Sequence, residues 1–510
     1  MERLKIRLLL LFAVTCLSVT SLTAQTRLPS ILSDNMCLQQ MTEVKIWGWD
    51  NPGQPVTVNP SWSRPVKTET DNTGNWLVTI KTPKAGGIHK IKVSGSSEKL
   101  ISNILIGEVW LCSGQSNMDR QLGPRIGQKP IVNYKEESEK ANYPEIRLFK
   151  VEQNTSEKPL SDCGGKWVEC SPEAALDFSA VGFFYGKELY ESLSIPVGLI
   201  HSAWGGTRVE AWTKKEDLDK ELLDHVSWLE DNYQADSSYY YRAVKNYKSG
   251  LITNQPSIPE SVREHNLGAN RLSVLYNAML SPLINYTIRG AIWYQGESNR
   301  NTWKEYKYRF PGMIESWRKL WNIGDFPFYF VQIAPYNYSE EFAQPQIVEA
   351  QCVALKLPNT GIAATQDIAS FYDIHPPQKE EVGRRLRLIA LNQTYGKKDI
   401  VFSGPVVKDY QNNDNSYVIQ FDPSGGELYS SGSAIGGVRA FYIAGEDKIF
   451  YKASVKQEGD KVILTSPKVK HPVAARYNWS NNGNATIFNS FGLPSLPFRT
   501  DKWDEVFYGE

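Results

Sequence analysis

The rhythm of apolar and polar positions changes along the chain and divides it into regions. From residue 26 to 103, short apolar runs alternate with turn residues. EVKIWGWDNPGQPVTV, GNWLVTIKTPKAGGIHKIKV and KLISNILI are strand-like and are broken by Asn-Pro-Gly, Asn-Thr-Gly and Ala-Gly-Gly. No helical period persists here beyond one turn, so residues 25–103 are expected to form a small β-sandwich-like domain. After residue 104 the apolar runs become continuous, at 104–111, 195–201, 288–294, 327–333 and 360–366. Between them Val181, Phe184, Tyr185, Leu189 and Leu193 recur at helical spacing, as do Met313, Ile314, Trp317 and Leu320–Trp321. Continuous apolar strands alternating with amphipathic helices predict an α/β core, a parallel sheet covered on both faces. Its span is 104–399, with a polar helical insertion near 214–265 and a helix over 378–392 that carries Val382, Leu386, Ile389 and Ala390 on one face. Residues 400–510 return to β texture and are expected to form a C-terminal β-domain.

The first 24 residues stand apart. Arg3, Lys5 and Arg7 precede an apolar centre from Leu8 to Val19, and Leu22-Thr23-Ala24 resembles a small-residue cleavage site. This pattern predicts a signal peptide and a mature chain, periplasmic or secreted, starting near Gln25. The apolar centre is too short for a comfortable membrane span, and no other segment is apolar enough for one. The 510 residues carry 56 basic and 56 acidic side chains. A balanced chain gives no reason to expect nucleic acid or an anionic membrane as partner. Outside the leader there are five cysteines, at irregular spacing that fits neither a zinc site nor a disulfide framework. Cys163 and Cys170 flank GGKWVE, which leaves a local disulfide and two free thiols both open. No cofactor or metal is implied.

In open α/β sheets, ligands bind beyond the carboxyl ends of the strands. Four loops occupy such ends. The first is Gly114-Gln115-Ser116-Asn117, and the second, HSAWGGTRVEAW, contains Gly205 and Gly206. The third, WYQGESN, contains Gln295 and Glu297, and the fourth, DIHPP, contains Asp373 and His375. Together they offer a hydroxyl, backbone donors at small residues, a side-chain amide and an imidazole with a nearby carboxylate. Acyl transfer needs this set. A serine hydroxyl attacks only when a base removes its proton, and the tetrahedral oxyanion needs preorganised N–H donors. Of six histidines, only His201 and His375 fall at strand ends of the core. His375 has Asp373 two residues away and is the better base. Each element alone has a plain reading: Ser116 as a turn residue, Asp373 as a helix cap, Gln295 and Glu297 as a buried polar network. It is their conjunction, in order and at strand ends, that points to an ester hydrolase.

The blocks VWLCSGQSNM, AWGGTRVEAW, LYNAMLSPLINYTIRGAIWYQGESN and DIHPPQKEEVGRRL, closed by LPSLPFRTDKW, resemble the sialate O-acetylesterase group of the SGNH hydrolases. The resemblance implies a flavodoxin-like parallel core and carbohydrate O-acetyl esters as substrates, with Ser116 as nucleophile and His375 as base. It further implies an oxyanion hole from the N–H of Ser116, an N–H of Gly205 or Gly206, and the Gln295 side chain. One departure stands out. The general pattern has the acid three residues before the histidine, where this chain has Tyr372, so Asp373 is assigned instead. Glu297 or a backbone carbonyl remains an alternative orienting group. Asn117 and Arg208 remain candidates for orienting or substrate contact, with an Arg208–Glu210 ion pair as the structural alternative. O-acetylated sialic acids are the expected substrates. Acetylated xylan, xyloglucan or pectin is the alternative, and a carbohydrate-binding protein without activity is a remoter one.

Overall fold

The computed structural model describes residues 25–430 and 440–509, so the expected leader lies outside the described residues. At the centre is one 17-residue strand, Glu98–Gly114. The sheet around it runs in the order Thr360–Ala363, Phe328–Val331, Gly290–Tyr294, Glu98–Gly114, Val197–Ala203, Tyr143–Lys150, Trp167–Cys170. All neighbours pair in parallel except the last, Trp167–Cys170, which is antiparallel and makes the sheet mixed.

Parallel strands joined by helical crossovers are buried on both faces, which is why these segments read as unbroken apolar runs. Alternate residues feed opposite layers. Val109, Leu111, Trp293, Phe328 and Phe330 point into a core shared with Phe310, Met313 and Trp317 of the helix Trp303–Trp321. Trp110, Cys112, Ile292, Tyr294, Tyr329 and Val331 point the other way. There they meet Val181, Phe184 and Leu189 of the helix Ala180–Leu193, and Val382, Leu386 and Ile389 of the helix Lys379–Gln393. Removing a large side chain from such a layer, as in Leu386→Ala, costs about 2–5 kcal/mol. The expected helices and strand runs therefore fall where the hydrophobic period put them.

Two strands of this seven-strand order were not expected. In Tyr143–Lys150 the apolar run is interrupted by Glu145 and Arg147, which hides its strand character. Arg147 is nevertheless buried, and its guanidinium donates to the carbonyls of Pro144, Asn35 and Asn103, which satisfies the charge-bearing group internally. Trp167–Cys170 is too short for its period to be read.

The N-terminal strands are antiparallel hairpins with alternating burial, clearest in Asn75–Lys81. The long central strand begins among them. Its first half pairs with His89–Ser94, and its second half lies in the parallel sheet. The change of texture near residue 104 thus falls inside one strand, not in a linker. The described residues of 406–430 and 440–508 form further short strands, mostly antiparallel, around a separate apolar cluster that includes Ile419, Phe441 and Tyr477. The polar insertion is a 29-residue helix, Lys220–Lys248, capped by Asp219, whose carboxylate accepts from the Leu222 N–H at 2.9 Å. Cys163 and Cys170 are buried free thiols.

Candidate active site

Every residue from Ile104 to Met118 is buried except Ser116. The strand ends at Gly114, whose φ of +137° and neighbouring Tyr294 backbone leave no room for a side chain: a Cβ would lie 2.2 Å from the Tyr294 carbonyl oxygen. Both flanks of this terminus are tied down. Trp204 N donates to Gly114 O at 3.1 Å, and Gln115 N donates to Tyr294 O at 2.9 Å. The chain then turns into a single helical turn, Ser116–Asp119, with Ser116 at its first position. A serine presented on a sharp strand-to-helix turn puts its hydroxyl above the sheet edge, open to solvent on one side.

The second loop lies directly on it. A Cβ at Gly205 would approach the Cβ of Ser116 to 3.3 Å, so glycine permits the contact. The loop is braced by Asn270, which donates to Gly206 O at 2.8 Å and accepts from Arg208 N at 2.7 Å. Among the described residues, the N–H groups of Ser116 and Gly205 donate to no protein acceptor, nor does that of Gly206, and it is Gly205 that lies against Ser116. Two unclaimed backbone donors beside a hydroxyl are what a developing oxyanion requires.

Gln295 does not join them, which corrects the expectation from sequence. It is fully buried, and its amide nitrogen donates to Thr207 O at 3.1 Å and Asn299 Oδ1 at 2.7 Å. Its Oε1 accepts from Tyr306 at 3.0 Å. Both amide hydrogens are committed, so the side chain braces the loops and has none left for substrate.

Glu297 is also buried, and its Oε1 accepts from Asn117 Nδ2 at 2.7 Å. Burial raises its pKa above the ordinary carboxylate range. The same Asn117 nitrogen donates to Ile374 O at 3.0 Å, and Asn117 Oδ1 accepts from Lys379 Nζ at 2.5 Å. Asn117 follows Ser116 and Ile374 precedes His375. One side chain therefore joins the serine turn, the third loop and the histidine loop. In the sequence Lys379 is one charged residue of the block DIHPPQKEEVGRRL. A charged residue opening an exposed-looking helix gives no signal of burial.

His375 is partly exposed. Burial, then the nearby Lys379 charge, depress its pKa, and Asp373 opposes them. The imidazole is thus biased toward the neutral form that a general base needs. Asp373 Oδ1 accepts from the His375 backbone N–H at 2.9 Å, and no hydrogen bond joins the carboxylate to the imidazole among the described residues. Asp373 therefore shapes the turn and acts on the ring through its charge. Glu297 reaches Asn117, not the ring. Arg208 and Glu210 do not pair with each other: Arg208 reaches Glu264 at 3.5 Å, while Glu210 is held by Arg309 at 3.0 Å.

A hydroxyl, an imidazole with an adjacent carboxylate and two open backbone donors at the carboxyl ends of a parallel-stranded sheet equip the molecule for acyl-ester chemistry. Comparison with known proteins narrows this class. Residues 106–248 and 260–388 match the family described as carbohydrate esterase, sialic acid-specific acetylesterase. The chain is 31% identical over 425 residues to the sialate O-acetylesterase of Mus musculus, covering 75% of this chain and 76% of that one. The Homo sapiens sialate O-acetylesterase is also 31% identical, over 421 residues, covering 74% and 73%. The crystal structure of a carbohydrate acetylesterase from Xanthomonas citri superposes with a TM-score of 0.80 at 32% identity, covering 94% of this chain and all of that one. The chain belongs to the sialic acid-specific acetylesterase family of carbohydrate esterases. It is an esterase with a mixed α/β fold, and the reading as a carbohydrate-binding protein without activity is set aside.

Proposed function

We propose that the protein is an exported serine esterase that removes acetyl groups from sugar hydroxyls, with O-acetylated sialic acids as the first-choice substrate. In this reading an SGNH-type core lies between two β-modules. The basic and apolar start of residues 1–24 supports export. The observation that carries the chemistry is Ser116, the one partly exposed residue at the end of a buried strand, beside two unclaimed N–H donors.

His375 takes the proton from Ser116 Oγ as the oxygen attacks the acetyl carbonyl. The oxyanion forms against the N–H groups of Ser116 and Gly205. Collapse breaks the bond to the sugar oxygen, which receives the proton from His375, and leaves an acetyl-serine. Water, deprotonated by the same imidazole, releases acetate and restores the serine. Asp373 stabilises the imidazolium while it exists.

The test is acetate release from O-acetylated sialoglycan, run beside acetylated xylan, xyloglucan and pectin. Faster turnover of the sialoglycan is expected. Preference for a plant polysaccharide overturns the substrate assignment, and no release from any of them overturns the function.

A further inference from the structure

Lys379 breaks two local rules at once. It is the first residue of the helix Lys379–Gln393, where the helix dipole disfavours a cation, and it is fully buried, where desolvation disfavours any charge. Sequences break such rules mostly where function requires it. What Lys379 gains there is specific. Its ammonium donates to Asn117 Oδ1 at 2.5 Å, stands 5.1 Å from the centre of the Tyr294 ring and faces the Glu297 carboxylate beyond Asn117. Asn117 spends its other end on Glu297 Oε1 and Ile374 O. An asparagine amide can rotate or exchange its oxygen and nitrogen unless its partners fix it. With Lys379 Nζ donating to the oxygen, and Glu297 Oε1 and Ile374 O both accepting from the nitrogen, this orientation satisfies all three partners and the flipped one does not.

We propose that Lys379 is a positioning residue for ester hydrolysis, which acts through Asn117 to hold the Ser116 turn against the His375 loop. This rests on the reading of Ser116 and His375 as nucleophile and base. No hydrogen bond joins Ser116 to His375 directly among the described residues, whereas Asn117, next to Ser116, bonds Ile374 and Lys379 on either side of His375 and so ties the two loops together. Misplacement by about 1 Å at such a junction costs on the order of a hundredfold in rate.

Lys379 also faces the site electrostatically. Burial lowers its pKa to about 7, with Glu297 and Asp373 opposing and Arg120 adding to the fall. Its charge in turn disfavours protonation of His375, on which Asp373, Arg125 and Arg120 also act. Removal of Lys379 therefore raises the pKa of the base, and the acidic limb of kcat/KM moves to higher pH.

The experiment compares Lys379→Met, Asn117→Ala, their double variant and Ser116→Ala in the full chain, with an activated acetyl ester and a thermal melt for each. The inference expects Lys379→Met to lose at least tenfold in kcat with KM within twofold, and its acidic limb to shift upward. Asn117→Ala should reproduce the loss in kcat, and the double variant should be no worse than the poorer single one, because both cut the same bridge. If Lys379→Met fails to fold, a wild-type kcat in Asn117→Ala overturns the inference on its own. An unmoved pH limb in folded Lys379→Met, or additive losses, also overturns it. If Ser116→Ala keeps its turnover, the serine reading has failed. If Ser116→Ala is inactive while Lys379→Met matches wild type, only the present inference has.

Discussion

His201 and His375 are the two histidines that the sequence placed at strand ends of the core; His201 lies inside the strand Val197–Ala203 and His375 twelve residues beyond the strand Thr360–Ala363, and their surroundings differ. His201 is 2% exposed, lies edge-on to Phe178 at 5.5 Å, and has no hydrogen-bond partner on either ring nitrogen among the described residues. Burial lowers its pKa to about 4. His375 keeps one side open, has Asp373 beside it, and is joined through Ile374 to the turn that carries Ser116. Carboxylates act on both rings, Asp119 on His201 and Asp373 on His375, so access is what separates them.

The sharpest way to break this contrast is to remove each imidazole. His375→Ala should lower kcat on an activated acetyl ester by about a thousandfold, within the range that a positioned general base supplies. His201→Ala should stay within about tenfold, although its melting point should change, because a buried ring leaves a cavity. The reverse order would mean that the wrong histidine has been chosen. Next in size is the serine's other neighbour. Gly205→Ala puts a methyl group 3.3 Å from the Ser116 Cβ and, since it displaces a donor without removing it, should cost up to about a hundredfold in kcat with KM little changed, the lower end of what losing an oxyanion donor costs. Asp373→Asn keeps an oxygen for the His375 N–H but loses the charge. It should lower kcat by about tenfold, roughly 1.4 kcal/mol. Glu297→Gln, which can still accept from Asn117, should cost less than that. If Glu297→Gln is the more damaging of the two, the carboxylate roles are reversed.

Acid sharpens the same comparison through stability. His201 is neutral in the folded chain down to about pH 4, while the unfolded chain takes up its proton near 6.5. Between these values the unfolded state binds more protons, so stability falls as pH drops through that window and levels off below it. The gap corresponds to about 3 kcal/mol. Melts of wild type and His201→Phe from pH 7 to 4 measure it, and parallel curves would contradict the assignment. The smallest effect expected is none: EDTA should leave turnover unchanged, since no cluster of His, Cys, Asp and Glu able to hold a metal occurs among the described residues. Loss of activity restored by a divalent ion would contradict that.

Much of the fold was legible because parallel strands and amphipathic helices write their burial into the hydrophobic period. The helix at Ala180–Leu193 and the strand ends around Ser116 are instances. Tyr143–Lys150 was not legible, because Arg147 is polar in sequence yet satisfied inside the fold by three carbonyls. The site shows the same division. The residue types of the four loops could be read, and so could their order. The direction in which an amide points could not. Gln295 turns inward to Asn299 and Thr207, and Asn117 turns toward Lys379 and Glu297, because of partners far away in sequence. A lysine at a helix start reads as solvated, and only packing reveals it as buried.

The central claim is that Ser116 forms the covalent acyl intermediate. The most direct measurement is peptide mapping by mass spectrometry after the full chain has been inactivated with an organophosphonate that phosphonylates activated serines. The account predicts one adduct, on Ser116, formed in step with loss of esterase activity and much more slowly in His375→Ala. Loss of activity with the adduct on another residue, or complete inactivation with Ser116 unmodified, would contradict it.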